Sequence, residues 1–348
     1  MALRTYPLIS FRDMLYTASV RNSARRSSQN KKINFIALQE ITTLDLRQLE
    51  LLCALAREKH FGRAAKNCNI SQPAFSARIR QLENELGVPI VKRERSFQGL
   101  TTEGELVVTI AQRILAEART LKQSLSQMSK GLAGHLRIGA IPSAMPMMSL
   151  IKNPFCEAHP NITVSILSLS SAEIQLGLEK FDLEVGVTYL SNELSTNVES
   201  HELYHEEYSL IHKADGPLKD RETITWQEAA ELPLSLLTRD MQYRRIIDKT
   251  FEELDCFITP HTQTNSITQL LHETRFGNTS SIVPISLIHV LRNLEGVVAI
   301  PLSEPRLVNK IGMIIAKREP SSPIAKEFFK HTKRLDVEKL LQEADREN

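Results

Sequence analysis

Four side chains within the stretch Ile70–Glu83 have types and spacing suited to reading nucleic acid: Gln72, Ser76, Arg78 and Arg80. Arg and Gln can each make paired hydrogen bonds to purine edges in the major groove, and a hydroxyl can serve bases or phosphates. The same stretch predicts the helix that would present them. Ser71 is a good N-cap, Pro73 falls in the first turn where no amide donor is needed, and Gly87 supplies the stop. Phe75, Ile79, Leu82 and Leu86 recur at spacings of four, three and four, an apolar stripe for a core. An ordinary surface helix with a solvated polar face would show the same pattern, so the neighbouring segments have to decide.

Those segments supply the positioning elements. Asp45 can cap a helix whose inner face is Leu46, Leu49, Cys53 and Leu55 or Ala56. His60-Phe61-Gly62 breaks it, Arg63–Cys68 predicts a short second helix, and Asn69-Ile70 turns into the Ser71 helix. Two short helices, a tight turn and a third helix with exposed Gln and Arg make a helix-turn-helix. Beyond Gly87, Ile90-Val91 and Leu100-Thr101 predict a small hairpin, a wing whose Lys92, Arg93 and Arg95 are placed for phosphate contact. The candidate DNA-binding residues are therefore Ser71, Gln72, Pro73, Ser76, Arg78, Arg80, Lys92, Arg93 and Arg95.

The charge distribution agrees. Residues 1–100 carry 17 Lys/Arg against 8 Asp/Glu, whereas residues 101–348 carry 26 against 33. A basic front and an acidic rear suggest a polyanion-binding head on a body with another task. Residues 1–42 are rich in Ser and Arg and have no helical or strand period, which suits a disordered basic extension, an organelle transit peptide, or sequence ahead of a later natural start.

Residues 44–104 closely resemble the N-terminal domain of LysR-type transcriptional regulators. The matching residues are Asp45-Leu46-Arg47-Gln48-Leu49, Phe61 with Ala64-Ala65, Ser71–Ser76, Ile79–Glu83, Leu86-Gly87-Val88, Arg93, and Leu100-Thr101 with Gly104. So many matches in fixed order are specific, unlike a lone short motif. Departures exist: Gly62 stands where the family usually has a Ser or Thr capping the second helix, Ala77 replaces a polar position, Ile90-Val91 replaces Leu-Phe, and Ser96 replaces a wing Arg. The resemblance implies a winged helix-turn-helix over 43–101 and leaves the base preference open.

From Thr102 to about Met128, Val107, Ile110, Ile114, Ala118, Leu121, Leu125 and Met128 recur at three- and four-residue steps. Such a helix spans roughly 40 Å, and pairing with the same helix of a second copy is the simplest way to cover its stripe. The resemblance implies the same, since family members dimerise through a linker helix here; 102–130 is assigned to it, and a homo-oligomer, dimer or tetramer, is expected. A glycine hinge at Gly131 and Gly134 follows. Residues 135–345 then alternate strand and helix patterns, an α/β body with a mostly parallel sheet. The predicted strands are 136–141, 162–169, 183–188, 208–212, 234–237, 261–264, 296–302 and 310–317, with helices over about 146–158, 172–180, 240–254 and 322–345 and another opening at Asn265-Ser266. The resemblance makes this a two-lobed domain like a periplasmic binding protein, with lobe I at about 135–190 and 296–345 and lobe II at about 194–290.

A ligand in such lobes favours strand C-termini and helix N-termini, where free amides attract anions. That selects Ser143, Ser170-Ser171, Thr188, Thr238, Arg239 and Thr264-Asn265-Ser266, although each hydroxyl could merely cap its own helix. Similarity to the family places an inducer in the inter-lobe cleft near Ser143, Thr188, Thr238 and Thr264. Arg239 could pair with an anionic effector, unless Asp240 already occupies it.

No GxSxG, HExxH, Walker loop or GxGxxG is present, so no enzyme, cofactor or metal is expected. His201 and His205 share an i, i+4 spacing in a segment that need not be helical, and Glu206-Glu207 and Glu252-Glu253 read as solvated faces. Cys53, Cys68, Cys156 and Cys256 are far apart and fit reduced thiols. No apolar run is long enough for a membrane span, and a cytoplasmic protein is expected. The expected partners are double-stranded DNA, a small-molecule effector and, for an activator, RNA polymerase. The alternatives are a cytosolic solute-binding protein with a degenerate DNA-binding head and a general architectural DNA binder.

Overall fold

Helix α1 (Leu46–Glu58) begins where Asp45 accepts from the Arg47 amide (2.9 Å) while Gln48 Oε1 accepts from the Asp45 amide (3.2 Å), a reciprocal capping box. The structure, a computed structural model, describes residues 44–93, 97–191, 193–291 and 295–346. The basic extension at 1–42, Arg95 and Ser96 lie outside the described residues. The chain divides into two compact units, one ending at Ala111 and the other starting at Gln112.

In the first unit, α2 (Phe61–Asn67) starts earlier than the Arg63 expected from sequence. The reason is His60, which follows the left-handed Lys59 closing α1 and itself caps α2: its Nδ1 accepts from the Gly62 and Arg63 amides at 3.1 and 3.2 Å. The Ser or Thr cap that Gly62 displaces is thus replaced from two positions upstream. Asn69, at φ 56°, makes the left-handed turn that a short polar side chain tolerates. Helix α3 (Gln72–Leu86) follows, capped by Ser71 and closed by Gly87 at φ 70°. Phe75, Ile79 and Leu82 are buried, but Leu86 is exposed and does not extend the stripe. The wing is β1 (Val91–Arg93) paired antiparallel with β2 (Phe97–Leu100), Val91 opposite Leu100. Phe61 packs edge-on against both Phe75 (6.1 Å) and Phe97 (6.2 Å), so one aromatic ties together α2, α3 and the wing.

Helix α4 (Thr102–Lys130) runs from the first unit into the second. At its start a Cβ on Gly104 would come 2.1 Å from the Ile90 carbonyl oxygen, so only glycine lets the helix pass the wing this closely. Its two sides differ. Val108, Ala111, Leu115, Ala116, Thr120 and Gln123 are buried within the chain, whereas Leu106, Ile110, Leu121, Leu125 and Met128 are exposed, Leu121 at 61% and Met128 at 86%.

The second unit contains two sheets. The first runs β4 (Ile162–Ser168), β3 (Gly134–Ala140), β5 (Val185–Tyr189), β13 (Asn309–Ala316), β6 (Val198–Glu206), with β3 parallel to β4 and β5, and β13 antiparallel to β5 and β6. The second runs β10 (Thr262–Thr264), β9 (Leu234–Leu237), β11 (Ser280–Pro284), β7 (Tyr208–Lys213), β12 (Val297–Ser303), β8 (Ile224–Thr225). Helices α5 (Met148–Ala158) and α6 (Ser171–Glu179) belong to the first lobe; α7 (Trp226–Ala230), α8 (Gln242–Glu253), α9 (Ile267–Phe276) and α10 (Ile285–Leu291) to the second.

Two expectations about the lobes are corrected. The strand at 296–302 does not return to lobe I: as β12 it lies between β7 and β8, with Ala299 opposite Ile211. Conversely residues 198–206, included in lobe II with no strand expected there, form β6 and pair with β13 in lobe I. Local hydropathy shows that a strand exists, whereas the partner edge is set by long-range pairing. The chain therefore crosses between the sheets at Glu206-Glu207-Tyr208 and returns between Ser303 and Asn309. The closing helix is also two helices, α11 (Pro323–Thr332) and α12 (Val337–Arg346), with the Asp336 carboxylate accepting from the Lys339 amide at the new start.

Candidate nucleic-acid interface and effector cleft

On α3 the buried Phe75, Ile79 and Leu82 fix which side faces outward. Gln72, Pro73, Arg78 and Arg80 are exposed and Ser76 is half-buried. At 3.6 residues per turn Gln72, Pro73, Ser76 and Arg80 share one flank of the helix, whereas Arg78 lies beyond the buried stripe on the other flank, toward Asp45. Ser71 is committed to its own helix, accepting from the Ala74 amide at 3.4 Å. Arg78 lies 3.9 Å from Asp45, a loose and exposed contact that holds the guanidinium weakly. A Cβ on Gly62 would sit 3.3 Å from Gln72 Oε1 and 3.1 Å from the His60 ring, so the glycine leaves room beside Gln72. On the wing Lys92 is exposed, and Glu83 anchors the strand by accepting from the Ile90 and Val91 amides at 3.0 and 3.1 Å. The Arg93 side chain and Arg95 fall outside the described residues.

The expected effector residues separate into two groups. Thr188 is buried and its hydroxyl donates to Ser171 Oγ (2.9 Å), Thr264 Oγ1 accepts from the Ser266 amide (3.2 Å), and Ser266 caps α9 through the Gln269 amide (3.3 Å). Ser170 likewise forms a capping box with Glu173. Local capping accounts for the Thr264, Ser266 and Ser170 hydroxyls, and a tertiary bond between β5 and α6 for Thr188. Asn265 is exposed. Arg239 is 76% exposed and pairs at 3.4 Å with Asp248, not Asp240; Asp248 also holds the buried Arg244 at 2.6 Å. By contrast, the buried hydroxyls of Ser143 and Thr238 have no hydrogen-bond partner in the protein.

Sequence reasoning missed Glu206, which it placed on a solvated face. Glu206 is 0% exposed, at the end of β6 where the chain crosses between sheets. Its Oε1 accepts from the Tyr189 hydroxyl (2.5 Å) and the Tyr208 hydroxyl (3.0 Å), and its Oε2 has no partner. The Ser143 hydroxyl lies near enough to favour the charged form without a hydrogen bond of normal geometry. Burial pushes the carboxyl up to about 7, and these neighbouring hydroxyls hold it down against a larger rise. Tyr204 and Tyr243 also face this carboxyl, whose nearness together with burial drives both phenols well above their ordinary range. The Ile285 amide donates to the Glu207 carbonyl (2.8 Å), placing Ser286 beside the crossing, where its buried hydroxyl is also unpartnered. From lobe II, Gln242 reaches Ser191 Oγ (2.9 Å) and Arg245 reaches Glu193 (3.0 Å), bridging the lobes. Burial along β6 does not alternate, since Leu203 and Tyr204 are both buried, so no periodic pattern in the sequence marks Glu206.

His201 and His205 lie on β6, where an i, i+4 spacing does not bring side chains together; His205 bonds Glu338 (2.7 Å) and Glu202 (3.2 Å). Glu252 and Glu253 are exposed. No helix among the described residues is long and apolar enough to cross a membrane. None of the four cysteines is in a disulfide.

A family model described as the LysR substrate binding domain matches residues 129–336, and one described as the bacterial regulatory helix-turn-helix protein, lysR family, matches residues 46–105. The chain belongs to the LysR family. It is a DNA-binding transcriptional regulator with an N-terminal helix-turn-helix and an effector-binding domain. Among LysR relatives, the DNA-binding transcriptional dual regulator OxyR of Escherichia coli K12 is 28% identical over 291 residues, covering 82% of this chain and 92% of its own length. The solved structure of a full-length OxyR variant from Pseudomonas aeruginosa is 26% identical with a TM-score of 0.62, covering 84% of this chain and 98% of that one. The LysR-family regulator CbnR, solved in complex with its target DNA, has a TM-score of 0.63 at 23% identity over 84% of this chain and 99% of that one, a likeness of fold.

Proposed function

We propose that the chain binds an operator of two half-sites as a homo-oligomer, and that a small molecule in the crossing between the lobes sets its DNA affinity. Exposed Gln72 and Arg80 on one flank of a helix pinned by Phe75, Ile79 and Leu82, with Arg78 exposed on the other flank, carry this reading. Lys92, Arg93 and Arg95 would hold phosphates, and Pro73 and Ser76 would flank the bases. The domain bounds follow: winged helix-turn-helix to 101, linker helix 102–130, and effector lobes at 134–206 with 309–346 and at 208–303. The exposed Leu106, Ile110, Leu121, Leu125 and Met128 of α4 suit a second copy, giving a dimer and, by a further contact, a tetramer. An activator would also meet RNA polymerase, in the cytoplasm. Binding to DNA upstream of its own gene, measured across salt concentrations, tests the proposal. A steep salt slope with a preferred sequence supports it; equal affinity for all duplexes supports an architectural binder, and no binding supports a solute-binding protein.

For the effector, the candidates are Ser143, Thr238, Glu206 and Ser286, each of which has a buried polar atom without a protein partner. A carboxyl with no cation beside it favours a ligand that brings hydrogen-bond donors over an anion. OxyR relatives bear the name hydrogen peroxide-inducible genes activator. We favour a small-molecule effector over thiol oxidation because Cys156 sits in α5 of lobe I and Cys256 follows α8 in lobe II, with no pre-placed pair.

A further inference from the structure

Beside α4, within the second unit, lies a cavity of about 300 Å³. Arg113, Glu117 and Thr120 of α4 line one side, and Phe181, Arg318 and Glu319 line the other. Three guanidiniums gather at Phe181, with Glu184, Asp182 and Glu117 close by. Arg119 and Arg137 both donate to its carbonyl, at 3.1 and 2.8 Å, and the Arg318 guanidinium lies over its ring at 4.8 Å. The carboxylates nearby are already engaged. Glu184 takes Arg137 at two oxygens (2.5 and 3.0 Å), Glu117 takes Arg113 (3.0 Å), and Glu319 takes Lys326 (3.3 Å). Among the described residues Arg318 makes no direct hydrogen bond or ion pair, with Glu184 and Glu117 acting on it only at longer range, and the Thr120 hydroxyl makes no hydrogen bond.

Burial drives both Arg119 and Arg318 below the ordinary guanidinium range; Arg137 adds to this, while Glu184 works against it at both. A half-desolvated cation with unused donors, at the wall of a cavity, is a poor resting state for an arginine. An anion would supply the missing partner, and a guanidinium is shaped to take a planar or tetrahedral oxyanion at two donors.

We propose that this cavity is a second ligand site, separate from the inter-lobe crossing, which binds a small oxyanion, a short carboxylate or a phosphate, through Arg318 and Thr120. The Phe181 ring and Pro320 would meet the apolar part of a carboxylate. Because the two walls come from α4 and from the body of lobe I, occupancy clamps the helix that leads to the DNA-binding unit. A ligand that binds the clamped arrangement better shifts the population toward it.

Full-length protein would be titrated calorimetrically with sodium butyrate and, separately, with inorganic phosphate, against chloride at matched ionic strength. The expected result is saturable binding of at least one probe; which one binds distinguishes carboxylate from phosphate. Arg318→Gln should weaken it about 10- to 100-fold, as loss of a charge-assisted hydrogen bond does. Thr120→Val, which keeps the branched shape that the fold packs around, should weaken it less but measurably. Amide exchange across residues 113–120 should slow on binding in the wild type and not in Arg318→Gln. No saturable binding of either probe, or equal binding by the wild type and both variants, would overturn the site. Binding without slowed exchange on α4 would overturn the clamp.

Discussion

Replacing Glu206 by Gln tests the buried carboxyl at the lobe crossing. In the folded chain this group is pushed up to about 7, whereas the ordinary value is 4.5. Between those two pH values the folded chain holds a proton that the unfolded chain has released. Stability therefore falls as pH rises through this window, at up to about 1.4 kcal/mol per pH unit, and levels off above the folded value. The full loss is about 3 kcal/mol, with no discount for solvent because Glu206 is 0% exposed. Glutamine keeps the side-chain shape and an oxygen to accept from Tyr189 and Tyr208, and it does not titrate. The single tryptophan, Trp226, is buried 6.4 Å from Tyr208 and reports on this part of the molecule by fluorescence. Urea denaturation of both proteins from pH 5 to 8 should show the wild type losing stability relative to Glu206→Gln by about 3 kcal/mol. Parallel profiles for the two proteins would refute the reasoning, since they would mean that Glu206 is ionised in both states throughout.

Other perturbations address the rest of the molecule. Gln72→Ala or Arg78→Ala should each cost about 1–3 kcal/mol on the true operator and little on random duplex, measured by fluorescence anisotropy; equal losses on both would remove base reading from α3. Lys92→Ala should weaken all duplexes alike and flatten the salt slope by about one; a changed base preference would contradict the phosphate role. Leu121→Glu, on the exposed side of α4, should yield monomers by light scattering and lose operator binding, whereas an unchanged mass would show that this stripe is not the subunit seam. His60→Ala should destabilise the first unit by about 1 kcal/mol, and His60→Asn should restore most of it, because the imidazole serves as the α2 cap.

The DNA-binding head was legible from its residues because its determinants are local. Ser71, Pro73 and Gly87 delimit α3 through backbone chemistry within a turn of each end, and the spacing of Phe75, Ile79 and Leu82 sets which side is buried. The long stripe of α4 was legible for the same reason, since a helical period is written every three or four residues. Two local features were still missed: Lys59 ends α1 in a left-handed conformation so that His60 can cap α2, and Gly62 opens space instead of capping. The lobes were different. That β12 is a strand shows in its composition, but its place between β7 and β8 depends on residues far earlier in the chain, a pairing that no local pattern encodes. Hydroxyls at helix starts looked alike in sequence, and only the folded chain divides Thr188, Thr264 and Ser266, which are bonded internally, from Ser143 and Thr238, which are buried without partners. Glu206 makes the same point: a carboxylate beside another in sequence reads as a solvated face, yet it sits where two sheets meet, surrounded by phenols from four elements. Whether such a charge meets water or the protein interior is fixed by the tertiary packing around it.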